Sequence, residues 1–154
     1  MRTFICLITS LLIAFNALCQ TAEDYSNRAN AKYDLEEYKN AIIYYDKAIS
    51  IDTTFSEAYI SRGIAKIEIK DYNGAIQDFT KAIALDSSNT WAYTNRADAF
   101  YLVRHYNQAI ADYNKALEMD PNDQKILTNR GYIKIEFCDY QGAIADFSKM
   151  LEIN

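Results

Sequence analysis

The chain has 154 residues, a formal net charge of −5, a single proline and an apolar half. That apolar share excludes a disordered polymer. The acidic balance speaks against nucleic acid, whose phosphates demand a basic footprint, so no nucleic-acid partner is expected.

Residues 1–19 read as an export leader. Met1 and Arg2 supply a short basic start, Phe4 to Phe15 is an almost unbroken apolar run, and Ala17-Leu18-Cys19 puts small residues at both positions of a cleavage site. The run falls short of the roughly 20 apolar residues a spanning helix needs. Removal after Cys19 is therefore preferred to a membrane span. Lipid attachment at Cys19 is a second, less favoured possibility, because Leu18 stands where a small residue normally precedes a lipidated cysteine. A periplasmic or secreted location follows. Cys6 leaves with the leader, so Cys138 has no intramolecular disulfide partner, and stability has to come from helix packing.

After the leader, one phrase returns at a fixed interval. Ala41-Ile42, Ala75-Ile76, Ala109-Ile110 and Ala143-Ile144 are each 34 residues apart. Such spacing marks one supersecondary unit copied and stacked, each copy burying its apolar face on its neighbours. With the alanine at position 20, the units are 22–55, 56–89, 90–123 and 124–154. The other columns then align. Position 4 is Tyr25, Tyr59, Tyr93 and Leu127; position 8 is Ala29, Gly63, Ala97 and Gly131; position 17 is tyrosine at 38, 72, 106 and 140; position 24 is Tyr45, Phe79, Tyr113 and Phe147. Small residues at positions 8 and 20 let two antiparallel helices approach closely. Large apolar residues at positions 21, 24 and 28 form one buried stripe. Asp120-Pro121-Asn122-Asp123 and Asp86-Ser87-Ser88-Asn89 break and cap the helices at unit boundaries; Asp52-Thr53-Thr54-Phe55 is the weakest boundary, with Phe55 placed to staple the junction.

This pattern resembles the tetratricopeptide repeat over residues 22–154. The resemblance implies an all-α solenoid of four antiparallel helical hairpins wound into a right-handed superhelix, with the first helix of each unit on the inner curve. Two departures stand out. Position 11, usually aromatic in the family, is Lys32, Lys66 and Lys134, with only Phe100 conforming, which implies looser seating of those first helices. No separate capping helix follows the fourth unit, so Ile144, Phe147 and Leu151 are expected to be partly uncovered, an interface that would permit homo-oligomers.

In that arrangement the groove is lined by Asn27, Asn30, Tyr33, Ile60, Ile64, Ile67, Trp91, Thr94, Asn95, Asp98, Tyr101, Thr128, Asn129 and Tyr132. Amides that pair with peptide backbone, and broad rigid rings of the kind enriched at binding hot spots, suit a protein or peptide segment. Helix-spaced aromatics also serve as core, so some of these rings are equally candidates for packing. Some members of the family grip a chaperone C-terminus with a carboxylate clamp. The clamp positions here hold Ser26, Asn30, Ser61, Trp91 and Asn95 in one frame and Ile60, Ile64, Asn95, Lys125 and Asn129 in the other. Neither frame assembles the cations.

Position 7 is Arg28, Arg62, Arg96 and Arg130, and position 23 supplies Asp78, Asp112 and Asp146. Recurrent opposite charges point to structural pairing along the stack, within a unit or between units. Catalytic constellations are missing. His105 is the only histidine and sits in a turn, Cys138 lacks a basic partner and is expected to pack, and no glycine-rich phosphate loop exists. No enzyme activity, cofactor or metal is expected, and the function indicated is a protein-binding scaffold in the cell envelope. The alternative is a structural subunit that self-assembles through its uncovered end.

Overall fold

A computed structural model describes residues 20–153. The expected leader at 1–19 lies outside the described residues. Among the described residues eight helices follow one another: α1 Ala22–Asp34, α2 Tyr38–Ile51, α3 Ser56–Glu68, α4 Tyr72–Leu85, α5 Thr90–Leu102, α6 Tyr106–Met119, α7 Gln124–Glu136 and α8 Tyr140–Glu152. No strand occurs among the described residues.

The helix boundaries have local causes. Thr21 and Asp24 form a reciprocal capping box on α1, while Asn89 and Asp123 accept from the backbone of Ala92 and Ile126 at 3.1 and 3.0 Å to open α5 and α7. Phe55 opens α3 without a side-chain cap and instead packs half-buried on the neighbouring core, while Asp52 closes the turn by accepting from the Thr54 amide and hydroxyl. Within each hairpin the reversal is made by a residue with positive φ: Glu36, Lys70, Arg104 and Cys138, at 60° to 63°. The next amide then bonds back five residues, as Asp71 does to the Lys66 carbonyl at 2.9 Å, satisfying the helix end. Cys138, expected to pack, occupies this turn and is exposed, because a left-handed turn residue projects away from both helices.

Each helix packs chiefly on the ones before and after it, and the first helices also touch across units, α1 with α3 and α3 with α5. The first helices therefore share one face, the inner curve of a solenoid. No central core forms among the described residues. Buried apolar residues fall into three clusters strung along the chain, around Tyr45, Phe79 and Tyr113. Ala41, Ala75 and Ala109 are fully buried where hairpin helices meet, as their size demands. At the far end Ile144 and Leu151 are 56% and 67% exposed, whereas Phe147 is half-buried under the Tyr132 ring.

The Arg of position 7 meets the Asp of position 23 within its own unit. Arg62 grips Asp78 through Nε and Nη2 at 2.9 and 2.5 Å, Arg96 grips Asp112 at 2.7 and 2.8 Å, and Arg130 grips Asp146 at 2.9 and 2.5 Å. The third arm of each fork reaches the preceding unit: Nη1 donates to Asp46, Thr80 and Asn114 respectively. One guanidinium thus ties a hairpin together and fastens it to its neighbour. Arg28, whose unit carries Tyr44 in place of the acid, lies over the Tyr25 ring instead. Of the lysines at position 11, Lys32 meets Glu37 in the turn at 3.0 Å. Lys66 and Lys134 are pulled down onto Asp78 and Asp146, at 2.8 and 2.9 Å, and fill the aromatic's place with an ion pair.

Candidate binding groove

The inner face is built by side chains of α1, α3, α5 and α7, with two contributions from the second row of helices. Tyr45 of α2 and Tyr113 of α6 are buried, yet their hydroxyls reach the groove floor. Tyr45 donates to Asn30 Oδ1 at 2.6 Å, and Tyr113 donates to Asp98 Oδ1. Burial pushes the Tyr113 phenol well above its ordinary range, and the Asp98 charge beside it adds to the effect, so this hydroxyl stays protonated and remains a donor. Asn129 Nδ2 also donates to Asp98 Oδ1 at 3.1 Å, and Lys125 Nζ meets Oδ2 at 3.2 Å.

Around these anchors lie two pockets built from the same unit positions. Asp98, Tyr101, Leu102, Tyr113, Asn129 and Tyr132 enclose about 270 Å³ at the junction of the third and fourth units. Asn30, Tyr33, Asp34, Tyr45, Ser61 and Ile64 enclose about 160 Å³ at the junction of the first and second. Between the two pockets Trp91 stands 64% exposed. It borders a cavity of about 290 Å³ with Glu57, Ile60, Ser61 and Ile64 on one side, and another of about 290 Å³ with Asn95, Asp120, Asp123 and Lys125 on the other.

The expected lining residues divide accordingly. Asn30, Tyr33, Ile64, Trp91, Asn95, Asp98, Tyr101, Asn129 and Tyr132 line cavities with accessible surface. Ile60 and Thr94 are buried and serve as floor. Thr94 and Thr128 turn their hydroxyls back onto the Thr90 and Gln124 carbonyls, and Asn95 spends its amide N–H on the Trp91 carbonyl at 2.8 Å. Asn27 is exposed on α1 and lines neither tyrosine pocket. Ile67 is half-buried against the cluster around Phe79.

Sequence reasoning missed Tyr45, Tyr113, Asp34 and Leu102. A signal for the tyrosines was present: position 24 is Tyr where position 9 is an acceptor, Asn30 or Asp98, and Phe where position 9 is Ile64 or Tyr132. The surface offers concave pockets and fixed hydrogen-bonding groups. Among the described residues no cluster of metal-ligating side chains and no helix long and apolar enough to cross a membrane is found.

Comparison with known proteins places this geometry. The chain is similar to crystallised MamA (TM-score 0.86, 24% identity, covering 91% of this chain and 82% of that one). It is similar to the first TPR of Spaghetti (RPAP3) bound to the HSP90 peptide SRMEEVD (TM-score 0.76, 26% identity, covering 77% and 94%). It is similar also to the second TPR domain of human RPAP3 in complex with the HSP70 peptide SGPTIEEVD (TM-score 0.71, 28% identity, covering 73% and 94%). No curated protein sequence matches it. Models described as tetratricopeptide repeat match residues 23–55 and 90–123, and one described as TPR repeat matches 65–103, together more than half of the chain. With that coverage and the stacked hairpins it explains, the chain belongs to the tetratricopeptide-repeat family.

Proposed function

We propose that this protein is a non-catalytic adaptor that holds an extended or helical segment of a partner protein in its inner groove, in the cell envelope. The observation that carries the reading is the exposure of Trp91 and Tyr132, at 64% and 58%, on a concave face whose cavities continue on both sides of the indole. Large rings held open beside pockets are what binding hot spots require. The peptide-bound relatives support a segment as the type of guest. Their acidic peptides are not the guest expected here, because Ser26, Asn30, Ser61, Trp91 and Asn95 stand at one set of clamp positions.

Replacing Trp91, Asn95 and Tyr132 together by alanine should abolish partner capture while leaving the helical circular dichroism unchanged; capture at the parental level would remove the groove from the mechanism. The envelope assignment rests on the leader at 1–19, and an exported product whose mass begins at Gln20 is its expected signature. A second reading, self-assembly, is favoured by one specific observation, the exposed Ile144 and Leu151 on the last helix. Sedimentation at tens of micromolar separates the two: a single monomeric species eliminates self-assembly.

A further inference from the structure

We propose that the groove takes a basic segment, and that the two tyrosine pockets each receive an arginine or lysine side chain of the partner. This rests on the groove reading above and adds the chemistry of the guest. The first observation is duplication. Asn30 and Asp98 lie 68 residues apart, as do Tyr33 and Tyr101, Asp34 and Leu102, and Tyr45 and Tyr113, so one pocket design occurs twice with one unit junction between the copies.

Charge decides what enters. In the pocket of the first and second units Asp34 stands in the wall, Glu68 accepts from the Tyr33 hydroxyl at 3.4 Å at the rim, and no cationic side chain lines the cavity. In the pocket of the third and fourth units, Tyr113 and Asn129 occupy Asp98 Oδ1 from below and leave Oδ2 to the open side. There the carboxylate already takes a cation from its own chain, Lys125, whose side chain is 65% exposed and held at 3.2 Å. An ammonium so exposed is readily displaced by a better placed one. Above it the Tyr101 and Tyr132 rings are 42% and 58% exposed. Ring faces over a carboxylate favour a guest with an apolar stem and a cationic head. The cavities flanking Trp91 add Glu57, Asp120 and Asp123 against the single cation Lys125, so an acidic segment would meet an excess of like charge.

The design supplies its own fold-preserving variants. Asn30 shows that an amide at this position accepts from the tyrosine below it, so Asp98→Asn removes charge and keeps the hydrogen bond. The experiment is a titration of the isotope-labelled protein, followed by amide chemical shifts, with acetyl-Gly-Gly-Arg-Gly-Gly-amide and with its glutamate counterpart at millimolar concentration. The arginine probe should shift Tyr101, Leu102 and Asn129 saturably and less at high salt, and the glutamate probe should not. Asp98→Asn should weaken that site about tenfold, as loss of a charge-assisted hydrogen bond does. Lys125→Gln should tighten it, and Asn30→Asp should tighten the other pocket. Equal shifts with both probes, or unchanged affinity in Asp98→Asn, would overturn the proposal. If partner capture is lost in the Trp91, Asn95 and Tyr132 triple variant but is indifferent to Asp98→Asn, the groove stands and the basic guest falls. Capture that survives the triple variant brings down the groove itself.

Discussion

The second and fourth units differ from the first and third in one consistent way. Arg62-Gly63 through Phe79 and Arg130-Gly131 through Phe147 share Gly at position 8, Asp at 16, Gly at 19 and Phe at 24. In these units the phenylalanine ring lies against the glycine: a Cβ on Gly63 would stand 2.7 Å from the Phe79 ring, and one on Gly131 2.8 Å from Phe147. A lysine joins the Arg–Asp pair, and Asp71 and Asp139 cap the second helix at the Gly74 and Gly142 amides. The first and third units have alanine at position 8 and spend the tyrosine hydroxyl on the groove. Even units are thus built for cohesion, whereas odd units give part of their core to the binding face.

The sharpest way to break this contrast is to strip an even unit of its acid. Asp78 is buried with Arg62 and Lys66 both on it, so Asp78→Ala takes the acid from Lys66, leaves Arg62 only the exposed Asp46, and should cost about 3–5 kcal/mol in urea unfolding. Asp112→Ala strands only Arg96 and should cost less. A similar loss from both would mean that the lysine adds nothing. Next in size is an exchange of designs. Phe79→Tyr in an even unit aims a hydroxyl at Ile64 and should cost about 1–3 kcal/mol for an unsatisfied buried group. Adding Ile64→Asn, which recreates the pairing of Tyr45 with Asn30, should recover most of it; a double variant no more stable than the single one would show that the two positions are uncoupled.

The architecture was open to reading because a 34-residue period repeats the same steric demand four times, and Ala41, Ala75, Ala109 and Ala143 answer it identically. What the period concealed is what varies at twice its length. Aligning every unit to one template treats Tyr45 and Phe79 as equivalent aromatics, although one hydroxyl separates a groove anchor from pure core. Likewise Lys66 reads as a departure from an aromatic position until Asp78 is brought to 2.8 Å. The third arm of the arginine fork was hidden for another reason: Asp46, Thr80 and Asn114 have no side-chain type in common, only the ability to accept a hydrogen bond.

Acid should erode an even unit in a graded way. Burial alone would push the Asp146 carboxyl up, but hydrogen bonds from Arg130 and Lys134 outweigh it and hold the group below its ordinary value. A carboxylate depressed in the folded state contributes stability that is fully present above its unfolded value, near 4, and is lost as pH falls through the folded one. Urea midpoints should therefore drop below pH 4, and Asp146→Asn, which removes the linkage at this site, should flatten part of that decline. An unchanged slope in the variant would assign the acid sensitivity elsewhere.

The smallest effect tests a turn in which the units do not differ. Glu36, Lys70, Arg104 and Cys138 all reverse the chain at φ of 60° to 63°, a conformation in which a Cβ crowds the following carbonyl at a cost of about 1–2 kcal/mol. Glycine removes that strain, and its larger unfolded-state entropy cancels part of the gain. Lys70→Gly and Arg104→Gly should each raise stability by about 0.5–1 kcal/mol. Because one turn sits in an even unit and the other in an odd one, the two gains should be equal. A larger gain at Arg104, where His105 supplies no side-chain cap, would show that the Asp71 cap already offsets the strain and that the division between odd and even units reaches into the turns.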